Sequence, residues 1–589
     1  MHQDGVVSAR TGLVLSLLAL AACQGRAERA PVAVVRPSPP PAGGWAAPGG
    51  RTFVVAQRHP YADDANPGTP DQPWRTISRA TRRGTLRPGD AVVIGDGVYR
   101  ESIQPVDGGR GPDARITFAA APGARVVVTG ADLAVAGWQR QGRAWRRAWH
   151  GPSMETYSAD PVFRRELVVV QGRVLRPVAR DALQAGTFWT EGPDTAPVAL
   201  WMQLPEEAPP DGQIEVGHRP RLFWPVGPDP FAACGDPETP GWLRVVGITF
   251  RHASNRAQWG AVCAGSIGGL LEDVRVEWTN GQGIDVSGRA HRFRRVRADY
   301  NGQLGWGGSC QGCLIDESAA VGNNWKGHDP FWEAGGAKWT RTSQTRIRRF
   351  YAAHNDGPGI WLDIDNDRNT IEGSLAVRNQ VAGIMVELRS TRTLVQHNVV
   401  AATRWREWSG TGMLSQAASQ NAYLHNSVVA NEGSGLWLRL DPDRRAPDGR
   451  NVVENNWIVG NAVGAPEARE LSVEGSDTAH VRSSRFAGNT LGRLGDGMTR
   501  STFYVHPAPQ ISRAGFRGQD VALWERLTGA RGTRLISGDG RPAAVALGTV
   551  GAGAPGTAPI RADRVGADPS VVRARGAWQS VPPRAPWPR

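Results

Sequence analysis

At 589 residues the chain is too long for one small hydrophobic core, so it needs several domains or one elongated repeat. A 40% share of hydrophobic residues with 21% charged excludes a chain that is disordered throughout. The net charge of +13 would suit a uronic-acid polysaccharide, an anionic lipid surface or nucleic acid, but the arginines are dispersed and no recognition helix or nucleic-acid motif is present, so nucleic acid is not expected as a partner.

The N-terminus carries Arg10 and then the apolar run Leu13 to Ala22, shorter than a membrane span and shaped like the core of a secretory signal. Its end, Leu20-Ala21-Ala22-Cys23, resembles the lipobox of bacterial lipoproteins. That resemblance implies a signal peptide over 1–23, lipidation of Cys23 and, with Gln24 rather than Asp after it, a lipid anchor to the outer membrane of the cell envelope. Residues 24–50, rich in proline and glycine, read as a flexible linker.

A cap and first coils are expected over 51–137. Asp63-Asp64-Ala65-Asn66-Pro67-Gly68-Thr69, Pro73-Trp74-Arg75-Thr76-Ile77, Arg87-Pro88-Gly89-Asp90 and Gly95-Asp96-Gly97-Val98-Tyr99-Arg100 resemble the opening cap of secreted right-handed parallel β-helix proteins. Over 138–220 the pattern changes to strands such as Leu167–Val170 and Ala199–Leu204, which predict a compact β-rich insertion. Cys234, Cys263, Cys310 and Cys313 predict one or two disulfides in an exported chain rather than a metal site.

From 221 to 500 short β-branched runs alternate with Asn and Gly at roughly 23 to 29 residues: Asn355 to Gly359, Asn379 to Gly383, Asn431 to Gly435. His397-Asn398, His425-Asn426 and Asn455-Asn456 mark a second corner. This is a solenoid pattern, in which corner asparagines bond to their copies in neighbouring coils and apolar side chains fill the interior. The predicted class is all-β, a right-handed parallel β-helix with a small β-rich insertion. A C-terminal cap over 501–569, with a short amphipathic helix at Ala522–Leu527, and a disordered tail over 570–589 complete the chain.

Only two of the 68 basic residues are lysine, Lys326 and Lys338. Lysine is a compact ammonium that burial can deprotonate, whereas arginine keeps its charge. Lys326 could equally be a surface residue. Lys338 falls into a pattern. Aligning coils by their corner glycines stacks Gly336–Thr340 on Gly359–Asp363 and then on Gly383–Glu387. Strand alternation then turns Ile360, Leu362 and Ile364 inward with Ile384, Val386 and Leu388. Trp361, Asp363, Asp365, Met385, Glu387 and Arg389 face outward. Stacked strands lie about 4.8 Å apart, so Asp363 and Glu387 should sit side by side. That separation suits the nucleophile and acid/base of a retaining glycosidase. Lys338 and Trp361 add a cation and a sugar-stacking surface, and His328, Asp329, Trp332 and Glu333 precede Lys338 in a loop that could close over the pair. Trp437 and Arg389 are further substrate-binding candidates. Asp285 repeats the outward geometry without a partner.

Ala337-Lys338, Gly359-Ile360-Trp361-Leu362-Asp363 and Met385-Val386-Glu387 resemble the β-xylosidases built on a right-handed β-helix. The resemblance covers about 60 residues and implies Asp363 as nucleophile and Glu387 as acid/base; it does not explain Asp365 or Leu388-Arg389-Ser390-Thr391. A second resemblance, to pectate and alginate lyases, implies Lys338 as the base of a β-elimination. Arg389 or Arg341 would then neutralise a uronate, and Asp363, Glu387 and the metal candidate Asp365 would hold Ca²⁺. The expected function is glycoside hydrolysis first, uronide elimination second and non-catalytic glycan binding third. The expected partner is a polysaccharide or oligosaccharide, and the expected state a monomer.

Overall fold

The computed structural model describes residues 45–151, 160–204, 213–229, 232–439, 449–463, 468–494, 502–506, 516–518 and 520–538. The expected signal peptide, Cys23, most of the linker and the C-terminal tail lie outside these residues.

The sequence pattern of short runs and corners becomes a stack of coils, each of three short strands. These build three long sheets, of 13, 13 and 11 strands, called A, B and C. Every strand pairs with its copy in the next coil in parallel, apart from an antiparallel pair at the end of sheet C, Phe503–His506 with Phe516–Gly518. Alternation sends one side chain per short strand to the interior. In sheet A this makes an unbroken register column, Val245, Leu271, Phe293, Ile315, Ile347, Ile371, Val395, Tyr423 and Val453, all buried. Each such aliphatic side chain contributes about 1.5–3 kcal/mol by leaving water.

The corners are locked by asparagine ladders. Asn323, Asn355 and Asn379 bond in series, 2.9 Å and 2.8 Å, and Asn398, Asn426, Asn456 and Asn489 do so at the second corner, each link 3.0 Å. Their amides also take up backbone groups of the preceding coil, such as the Ala352 carbonyl on Asn379 Nδ2 at 2.9 Å. The glycine four residues after Asn355 and after Asn431 follows from this ladder. A Cβ on Gly359 would lie 2.6 Å from Asn379 Nδ2, and one on Gly435 2.8 Å from Asn461 Nδ2, closer than a side chain can approach.

The inward alternation of sheet C stops sooner than the sequence suggests. Ile364-Asp365 and Leu388-Arg389 all have positive φ, between 45° and 58°, so each pair is a corner. Ile364 and Leu388 are therefore not interior residues, and Asp365 and Arg389 leave the line of Asp363 and Glu387. A β-branched residue in this conformation is uncommon, and alternation by itself gave no warning of it.

The insertion consists of two sheets, one of four strands from Ala131–Leu133 to Ile214–Gly217 and one of five from Gln139–Gln141 to Ala199–Gln203. Its own core joins Phe188, Leu200, Met202, Val168 and Val216. Lys326 ties it to the solenoid. The side chain is only 5% exposed, and Nζ donates to the Arg164 carbonyl of the insertion at 2.6 Å and to Asn280 Oδ1 of the solenoid at 3.0 Å. Next to it His328 packs edge-on against Phe163 of the insertion, ring centroids 5.1 Å apart. Lys326 is thus a buried tether, and His328 belongs to this contact rather than to a loop over the carboxylate pair.

At the N-terminal end Trp74 stacks on Phe53 at 4.7 Å and donates Nε1–H to the Asn66 carbonyl at 2.7 Å, which accounts for the expected cap motif. Toward the C-terminus a helix over Val521–Thr528 presents Trp524 to Phe503, stacked at 4.7 Å, and to Phe486 at 5.6 Å. The cysteines form two disulfides, Cys234–Cys263 and Cys310–Cys313.

Burial pushes the Lys326 ammonium down from 10.5 to about 7. Between these values the unfolded chain holds a proton that the folded chain has released, so this group makes stability rise with pH from about 7 to 10.5. The rise it can supply is at most about 5 kcal/mol. Comparing urea unfolding of the protein and of Lys326→Met at pH 7 and pH 9 should show a smaller gain with pH in the variant.

Candidate functional site

The outer face of sheet C has the register that the glycine alignment predicts. Lys338 lies beside Trp361, Trp339 beside Leu362 and Thr340 beside Asp363. In the next coil Ile360 lies beside Ile384, Trp361 beside Met385 and Leu362 beside Val386, so the following step sets Asp363 against Glu387. Two parallel columns result. One runs Asp285, Gly307, Lys338, Trp361, Met385, Leu414, Trp437. The other runs Thr340, Asp363, Glu387, Gln416, Arg439.

Within these columns each charged group already has a partner. Lys338 Nζ sits 3.0 Å from Asp363 Oδ2 and 4.1 Å above the Trp361 ring, and it also donates to the Trp332 carbonyl. Asp363 is 3% exposed, and its second oxygen, Oδ1, has no hydrogen-bond partner. Removing the lysine alone would leave a buried charge uncompensated, a loss of about 3–5 kcal/mol in comparable pairs. Glu387, 4% exposed, accepts from Trp361 Nε1 on Oε2 at 3.1 Å and from Gln416 Nε2 on Oε1 at 3.2 Å. Gln416 Oε1 in turn accepts from an Arg439 guanidinium N–H at 2.9 Å.

Two loops shelter this face. Phe331, from the turn before Lys338, stacks on Trp408 at 5.1 Å, and Trp408 packs with Trp437 against the cluster of Trp361, Ala382, Met385 and Leu414. Glu333 lies in the first loop, 3% exposed, with neither carboxyl oxygen in a regular hydrogen bond. Burial raises its carboxyl to about 7; the Lys338 charge opposes the rise and Asp329 adds to it.

Lys338, Trp361, Asp363, Glu387 and Glu333 therefore converge. Trp361 is not the open stacking surface expected of it, since it is 2% exposed, with Lys338 over its ring and its N–H on Glu387. Trp332 contributes its carbonyl, while its side chain points to solvent. Trp437 packs beside Trp408 and donates to Glu474 at 3.0 Å. Asp365 and Arg389 pair with each other on the exterior, 2.7 Å and 3.0 Å, away from the carboxylate column. A Ca²⁺ site needs six to eight oxygen ligands. Here Asp365, Asp363 and Glu387 are turned to arginine, lysine, indole and amide N–H groups, and among the described residues no group of three His, Cys, Asp or Glu side chains could hold a metal. The donor set does not fit the cation. Asp285 has its carboxyl raised to about 6 by burial, with the Ser287 amide on Oδ1 at 2.9 Å.

The family described as "Right handed beta helix region" matches residues 259–404, the coils that carry Lys338, Asp363 and Glu387. A solved complex of XylC with xylose superposes on the chain with a TM-score of 0.56 over 82% of each chain, at 16% identity. The fold is a right-handed parallel β-helix. Looser structural matches are a glycoside hydrolase, TM-score 0.36 at 15% identity over 70% of this chain and 94% of that one, and the mannuronan C-5 epimerase AlgE6 A-module of Azotobacter vinelandii, TM-score 0.41 at 13% identity over 76% and 90%. Curated proteins give no match to the sequence.

Two polar residues of the β-helix site escaped the sequence reading, Gln416 and Arg439. Extending the outward column past Glu387 finds them, but the next coil is longer: Glu387 to Gln416 is 29 residues, against 24 from Asp363 to Glu387. The extra length is the loop that carries Trp408, and no motif in the sequence marks it.

Because the Glu333 carboxyl is raised from 4.5 to about 7, the folded protein holds its proton where the unfolded chain has lost it. The contribution is complete below about 4.5 and is lost as pH rises through 7, by no more than about 3 kcal/mol. Glu333→Gln should remove that fall, read as a thermal midpoint less sensitive to pH between 5 and 8.

Proposed function

We propose that this protein cleaves a glycosidic bond with retention, using Asp363 as nucleophile and Glu387 as acid/base. The observation that carries the reading is the in-register pair on adjacent strands, with Lys338 committed to one carboxylate and Trp361 to the other. Strand spacing of about 4.8 Å approaches the 5–5.5 Å of retaining carboxyl pairs, whereas inverting pairs need about 6.5–9.5 Å to admit a water. Lys338 holds Oδ2 of Asp363, leaving Oδ1 available for attack on the anomeric carbon. Glu387 would give a proton to the leaving oxygen and then take one from the water that releases the sugar.

The substrate class is an oligosaccharide or polysaccharide, and an exported, envelope-anchored protein is part of the same reading through Cys23. The similar fold of the XylC complex with xylose adds to it. Elimination from a uronide would use the same face with Lys338 as base. That role is less well supported, because Lys338 Nζ already donates to Asp363 and to the Trp332 carbonyl, and a base must offer a lone pair.

A panel of 4-nitrophenyl glycosides and polysaccharides will identify a cleaved substrate. On it, Asp363→Asn and Glu387→Gln should each lower kcat by about 10²–10⁴-fold while leaving the far-ultraviolet spectrum unchanged. Full activity in both variants overturns the carboxylate pair. The products should be reducing sugars without an ultraviolet-absorbing unsaturated end, and chelation by EDTA should leave the rate unaltered; an unsaturated product would establish the lyase. Glycan binding without cleavage across the whole panel would make the protein a binding solenoid.

A further inference from the structure

Glu387 is fixed by a chain that begins outside the proposed catalytic pair. Register stacks Glu387, Gln416 and Arg439 on three successive coils. An amide can present either its oxygen or its NH₂ to a neighbour, and the two orientations have the same shape. The choice matters here, since an amide oxygen facing the Glu387 carboxylate would repel it, whereas the NH₂ donates to it. Arginine has donors only. With an Arg439 N–H on Gln416 Oε1 at 2.9 Å, the amide oxygen is held on the Arg439 side, and Nε2 is left 3.2 Å from Glu387 Oε1. The guanidinium is itself held in place, 4.4 Å from the Trp408 ring and 5.3 Å from the Trp437 ring. Among the described residues, charges near this chain include Asp363 and Lys338 beyond Glu387, and Glu474, which stacks in register beyond Arg439 and accepts from Trp437.

We propose that Arg439, two coils beyond Glu387 in the same column, is a positioning residue for Glu387 and acts by dictating the orientation of the Gln416 amide. This inference rests on the proposed role of Glu387 and predicts that Arg439 works only through Gln416. A stacking role for Arg439 between two tryptophans would be independent of Gln416, so the two roles separate in a double-mutant cycle.

The experiment uses the full chain and the cleaved 4-nitrophenyl glycoside. Arg439→Met and Gln416→Met should each lower kcat by about 10- to 100-fold, with KM little changed. The double variant should be no slower than Gln416→Met within about twofold, the mark of one shared route. Arg439→Lys keeps a donor and should recover part of the loss. Gln416→Glu puts a like charge beside Glu387, raises its affinity for a proton and should move the alkaline limb of the kcat profile to higher pH. Losses that multiply in the double variant, or an Arg439→Met enzyme with the parent rate and pH profile, overturn the proposal. Should Arg439→Met fail to fold, Arg439→Lys in the parent and in Gln416→Met supplies the same cycle. A second readout needs no turnover: ¹³C-carboxyl titration of labelled Glu, with Glu387→Gln assigning the signal, should place the Glu387 transition at higher pH in Arg439→Met. No movement of that signal refutes the inference even if Glu387→Gln proves fully active, an outcome that would instead remove the catalytic reading.

Discussion

Coil-on-coil stacking is the constraint on which the rest of this protein depends. A parallel strand has one partner on each side at a fixed spacing of about 4.8 Å, so any residue of the outer face of sheet C inherits its neighbours from the coil before and the coil after. The asparagine ladders prevent slippage. A shift of one residue would turn every interior side chain outward and would also break the amide series through Asn323, Asn355 and Asn379. Glycine four residues on is the steric consequence of that ladder, which is why Asn and Gly recur together.

The same stacking converts a scarcity of lysine into two unlike roles. Lys338 stands in a column of side chains and lends its charge to Asp363, with an indole face beneath it. Lys326 stands at a corner and is buried where the insertion meets the solenoid, holding a carbonyl from one and an amide oxygen from the other. A guanidinium would be too large and too permanently charged for such a place, since it cannot shed its proton when desolvated. Both lysines thus occupy positions where a compact ammonium has a physical use, although only Lys338 lies on the outer face of sheet C.

Much of the fold was legible because its period is written in residue types with unambiguous geometry. Asn at the corners, Gly four residues on and short β-branched strands between corners define a coil whatever the loops do. The site was legible as far as the coils keep a constant length, which is why Lys338, Trp361, Asp363 and Glu387 fall where the alignment puts them. It failed at two kinds of place. Ile364 and Leu388 look like interior strand residues and are left-handed corners, so Asp365 and Arg389 turn away to pair with each other. Gln416 and Arg439 lie beyond a longer coil, and the loop that lengthens it also brings Trp408 over the site.

By itself the sequence determined the coil, its register and the stacking of two acids, because those follow from a repeat acting through nearest neighbours only. Tertiary structure decided what each group in the site is attached to. Burial of Lys326, the capture of Lys338 by Asp363, the indole and amide on Glu387 and the raised carboxyl of Glu333 all come from side chains that meet across coils and loops. Such contacts depend on loop length and on desolvation, neither of which a repeat pattern encodes.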